Sequence, residues 1–63
     1  MRDDIIAGDM HGIMVIPGDP VLLEDKRYII KELFEEHDEV RIGLEDGDNI
    51  LWVCENDIEL VLS

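Results

Sequence analysis

Positive charge is scarce in this chain. Five Lys or Arg face seventeen Asp or Glu across 63 residues, a formal net charge of −12 with both histidines neutral. A field of that sign repels phosphate, so unaided binding to DNA, RNA or an anionic membrane is disfavoured. Aromatic residues are equally few: Tyr28, Phe34 and Trp52. The single cysteine, Cys54, leaves no internal disulfide and fits a reduced, cytoplasmic setting. No apolar stretch approaches the roughly eighteen residues of a membrane span, and no basic segment leads an apolar run as in a signal peptide. Gly8, Gly12 and Gly18 are isolated and no Lys-Ser or Lys-Thr ending follows, so a phosphate-binding loop is excluded.

Metal and catalytic chemistry find equally little support. His11, His37 and Cys54 are scattered in no zinc-ligand spacing, and Asp46-Gly47-Asp48-Asn49 lacks the length and closing Glu of an EF-hand loop. Carboxylate pairs abound, but composition alone produces them in so acidic a chain. No apolar pocket is evident that would split two of them into acid and base. Cys54 has no cationic neighbour in sequence to activate it. The expectation is a protein without cofactor, metal or catalytic activity.

What the chain has is aliphatic residues. Ile, Val and Leu make up 21 of the 63, too many for plain disorder and enough for one small, marginally stable domain. Residues 1–11 are either a flexible tail or an added edge strand. Ile13 to Ile16 form a short apolar strand that offers an unpaired edge to a second copy, and Pro17-Gly18 turns the chain. Residues 21–25 make the next strand. Residues 27–34 fit either period two or a helix spanning 24–37; consecutive β-formers Tyr28, Ile29 and Ile30 favour the strand. Strict alternation then places Ile29, Lys31 and Leu33 on one face, with Tyr28, Ile30, Glu32 and Phe34 on the other. Residues 35–39 read as a solvated acidic loop. Val40, Ile42 and Leu44 alternate inward, while Gly43 faces outward and permits close approach of another backbone. Asp46-Gly47 predicts a hairpin with positive φ at both turn positions. The returning strand, residues 50–54, directs Leu51 and Val53 to the core and Ile50 and Trp52 to the other face. Glu55-Asn56-Asp57 reads as a tight turn before a last strand over residues 58–62.

Four to five short strands joined by tight turns predict an all-β, partly open antiparallel barrel. The run of Gly18-Asp19-Pro20-Val21, Tyr28 to Leu33, Val40 to Leu44, the Asp46-Gly47 turn, Trp52-Val53 and Glu55 to Val61 resembles the SH3-like small barrels, Tudor-like and KOW-like modules included. The resemblance implies one SH3-like barrel domain over residues 12–63, with a one-turn 3₁₀ helix before the final strand and a role in binding rather than catalysis. Nucleic-acid-binding barrels of this kind are usually basic, and peptide-binding ones carry more aromatic residues than this chain holds.

Trp52 reads first as a core or half-buried residue. Its functional alternative is an apolar spot with Ile50 and Tyr28 on an outer face, ringed by Glu35, Glu36, Asp38, Glu39, Glu45, Asp46 and Asp48, where aromatics anchor a partner and charges steer it. Asp3, Asp4, Glu55 and Asp57 widen the same negative field. The expected function is a small cytoplasmic module that docks onto a larger basic protein. One alternative is a nucleic-acid mimic that inhibits a DNA- or RNA-binding protein, with a nucleic-acid enzyme as partner. Another is a nucleic-acid-associated barrel using a local basic strip of Lys26, Arg27, Lys31 and Arg41. Adaptation to saturated salt also accounts for a charge of −12.

Overall fold

The computed structural model describes residues 5–62. Its regular structure is almost wholly extended. Strands β1 (Ala7–Gly8) and β2 (Met14–Val15) pair as a small sheet. The larger sheet comprises β3 (Pro20–Leu23), β4 (Lys26–Glu36), β5 (Glu39–Asp46), β6 (Asn49–Cys54) and β7 (Glu59–Leu60). A one-turn 3₁₀ helix, Glu55–Asp57, separates β6 from β7. All pairings are antiparallel, and the larger sheet runs β6-β5-β4-β3-β7. The all-β, partly open antiparallel architecture therefore holds, and residues 27–34 are extended rather than helical. Ala7, Val15, Val21, Ile30, Ile42, Leu44, Val53 and Ile58 form the buried core.

The resemblance to SH3-like barrels does not survive. The five-stranded sheet ends at β6 and β7, which do not pair with each other, and the N-terminal pair is a separate sheet rather than the closing ladder. Between β6 and the β3–β4 hairpin lies an open cleft lined by Met10, Leu23, Tyr28, Leu51 and Val53. The physical reason lies at β7. Only two of its residues pair with β3, and on its other side the Asp9 carboxylate takes the Leu60 amide at 2.8 Å. The Asp9 carboxylate, with the Met10 amide donating to the Ile58 carbonyl at 2.8 Å, thus ends the sheet where a further strand would continue it.

Asp9 is the one buried charged residue among those described. Its Oδ1 accepts the amides of His11 and Ile13, both at 2.9 Å, so one carboxylate joins the β1–β2 connection to β7. Burial alone raises its pKa, but the amides of Leu60, Ile13 and His11, with His11 nearby, outweigh that and hold the carboxyl below its ordinary value. The Glu55 carboxylate accepts the Gly8 amide at 2.8 Å and fastens the same region to the 3₁₀ turn. Residues 13–16 consequently offer a shorter edge than expected, paired with β1 on one side. Only Met14 and Val15 are strand, β1 pairs with them, and the amides of Ile13 and Ile16 are taken by the carboxylates of Asp9 and Asp19. Asp3, Asp4 and the rest of residues 1–4 lie outside the described residues.

Three two-residue turns link β3 to β6. The strand expected over 21–25 stops at Leu23, because Glu24 and Asp25 have φ of 52° and 68°. The acidic segment 35–39 is likewise no loop: Glu35 and Glu36 end β4, Glu39 begins β5, and only His37 and Asp38 turn, with φ of 53° and 68°. The third turn lies one residue later than expected, at Gly47-Asp48, with positive φ at Gly47 alone. Strict alternation along β4 also fails. The register steps from Ile30–Leu44 to Glu32–Gly43, leaving Lys31 as a bulge, so Ile30 and Leu33 share the inner face although three positions apart.

Candidate functional site

The bulge turns Phe34 onto the outer face of β4, β5 and β6. With Val40, Ile42 and Leu44 inward, Glu39, Arg41, Gly43 and Glu45 point out from β5. The ladders set Phe34, Arg41 and Cys54 in one row across the strands and Glu32, Gly43 and Trp52 in the next. Phe34 and Trp52 are 49% and 46% exposed, yet their rings meet edge to face at 6.2 Å between centroids and an interplanar angle of 64°. Gly43 makes this possible. A Cβ there would stand 2.9 Å from Ile50 Cγ2 and 3.0 Å from Trp52 Cζ3, so what approaches this glycine is side chains rather than the backbone expected.

Arg41 is the cation of the face. Its Nη2 donates to Glu39 Oε1 at 2.9 Å and its Nη1 to Cys54 Sγ at 3.2 Å. Cys54, exposed and without a cationic neighbour in sequence, gains one across the ladder. Phe34, Glu36, Arg41 and Trp52 line a shallow depression on this face.

The structure therefore brings Ile50 and Trp52 together on the outer face, with Glu45 opposite Ile50. Glu36 and Glu39 face each other beside the His37-Asp38 turn, and Glu35 lies opposite Val40. Asp46 and Asp48 belong to the other hairpin tip, so acids stand at both ends of β5 around the aromatic pair. Tyr28 is not part of this group. It pairs with buried Val21, packs against the core and carries Lys26 Nζ 5.4 Å from its ring centroid. Phe34 and Cys54 are the site residues that sequence reading missed, and Arg41 was read only as part of a basic strip. Without the bulge, alternation assigns Phe34 to the same face as Ile30, and no local signal in the sequence announces the extra residue.

Among the described residues, no group of three or more His, Cys, Asp or Glu is arranged to hold a metal ion, and no helix is long and apolar enough to cross a membrane. Comparison with protein-family models, with curated proteins and with solved structures finds no match, so the functional reading rests on this geometry.

Proposed function

We propose that this chain is a non-enzymatic interaction module that docks onto a larger basic protein through the outer face of β4, β5 and β6. The observation that carries the reading is the exposed Phe34–Trp52 pair, an apolar centre bordered by Glu36, Glu39 and Glu45. Solvated aromatic rings of this kind supply the anchor of an interface, and a charge of −12 supplies attraction to a cationic surface. A nucleic-acid mimic needs an unbroken stripe of carboxylates, whereas this face has an apolar middle with Arg41 in it. A basic strip has less support still. Arg27 and the Phe34 position opposite Arg41 stand roughly 20 Å apart along β4 at the usual strand rise. Arg41 is already engaged by Glu39, and Lys26 lies over Tyr28. The lone exposed thiol of Cys54 supports a reducing, cytoplasmic setting.

The test is affinity purification followed by mass spectrometry, repeated with Trp52→Ala and Phe34→Ala. The expected partner is one basic protein whose binding weakens about thirtyfold in Trp52→Ala and falls in about 0.5 M NaCl. A neutral or acidic partner, or binding indifferent to both substitutions, overturns the reading.

A further inference from the structure

The two edges of the large sheet are not alike. At β7 the Leu60 amide is occupied by Asp9, whereas β6 lies at the sheet's other end with no strand beside it. Natural edge strands are commonly blunted by lysine, proline or a bulge. Asn49–Cys54 contains neither residue, and its register with β5 runs unbroken from Asp46–Asn49 to Arg41–Cys54. The direction of its free groups follows from the turn. A two-residue hairpin makes Asp46 and Asn49 a hydrogen-bonded pair, so alternation gives Leu44–Leu51 and Ile42–Val53 the next ones. The N–H and C=O of Ile50 and Trp52 then point away from β5. Cys54 supports this phase independently, since its amide turns outward to Asp57 Oδ2 at 3.1 Å. Among the described residues, no backbone–backbone hydrogen bond outside the β5–β6 ladder involves Ile50 or Trp52.

We infer that the β6 edge accepts an extended, Lys- or Arg-flanked segment of a partner protein as an additional strand. This rests on the docking reading above and specifies the form of the partner. Main-chain pairing with Ile50 and Trp52 supplies affinity, and alternate side chains supply selectivity. One set would lie beside Trp52 on the outer face. The other would enter the cleft lined by Leu23, Tyr28, Leu51 and Val53, the open side of the sheet. Charge selects the occupant. Asp46 and Asp48 precede β6, and Glu55 and Asp57 follow it. A second copy pairing antiparallel would set these acids against each other, while a segment with cations at both ends meets opposite charge at both.

A blocked peptide of alternating Val and Thr with Lys at each end tests this by amide-resolved NMR on the intact chain. Binding should slow hydrogen exchange at the Ile50 and Trp52 amides. An N-methylated peptide of the same charge, unable to donate to the edge, should bind about tenfold more weakly. Ile50→Pro removes one outward N–H and should cost a similar factor; the N-methylated peptide gives the same test with the native chain if that variant fails to fold. No binding, or binding unaffected by N-methylation, overturns the inference. In the second case, loss of binding in Phe34→Ala would leave the docking face standing without the edge. Conversely, sensitivity to N-methylation with no effect of Phe34→Ala, Trp52→Ala or Lys-to-Gln replacement in the peptide keeps the edge and removes the acidic aromatic face. Concentration-dependent protection of Ile50 and Trp52 without peptide assigns the edge to a second copy and overturns the proposal.

Discussion

Asp9 does what strand pairing does elsewhere in this molecule: it satisfies backbone amides, here those of His11, Ile13 and Leu60. Asp9→Ala leaves those donors without their acceptor, and we expect a loss of about 2–4 kcal/mol by urea denaturation. The effect has a pH signature. The folded carboxyl titrates below its ordinary value of 3.8, so its contribution is fully present above that value and fades as pH falls through the lower folded pKa. Asp9→Asn should therefore flatten the acid limb of the stability curve; an unchanged acid limb would refute the assignment. In the sequence Asp9 looks like a turn residue after Gly8, and nothing nearby reveals Leu60 as its partner. Gly43 was more legible. A glycine amid alternating apolar residues signals close approach, although only the fold identifies the approaching groups as Ile50 and Trp52.

The hairpins carry strain that their own residues explain. Glu24, Asp25, His37 and Asp38 all occupy positive φ, a region that disfavours side chains with a Cβ and suits Asn-Gly in two-residue turns. Replacing Glu24 with Asn and Asp25 with Gly should raise stability by about 1 kcal/mol, read as a higher urea midpoint at unchanged m-value. A lower midpoint would show that the two acids make compensating contacts. Such turns were hard to place from sequence because neither dipeptide is a strong turn former. The acidic stretch over 35–39 accordingly read as a loop, when it is two strand ends and a tight reversal. The bulge at Lys31 was equally hidden, and with it the outward position of Phe34. Its signature is visible only against β5, where Glu32 rather than Lys31 pairs with Gly43.

For the molecule as a whole, charge and size act against each other. A net −12 on a chain with a Cα radius of gyration of 10.9 Å repels itself in the folded state more than in the expanded one. Added salt should therefore raise the thermal midpoint between low ionic strength and about 0.5 M NaCl. A fall, or no change, would mean that the charges are already spaced or compensated well enough not to matter. The same repulsion opposes a homodimer across β6, and its relief by a cationic partner would couple binding to stability: the bound chain should melt higher than the free one.

Local chemistry was enough to establish that this is a small antiparallel sheet protein, to place the β5–β6 reversal within one residue, and to direct Leu51 and Val53 inward and Ile50 and Trp52 outward. Each depends on side-chain alternation or turn preference over a few neighbouring residues. Tertiary contacts alone decided that the sheet stays open, that Tyr28 faces away from Trp52, and that Phe34 meets Trp52. Those outcomes depend on one inserted residue in β4 and one carboxylate reaching an amide 51 positions away. Neither is encoded in any short stretch of chain, because each exists only once distant strands have met.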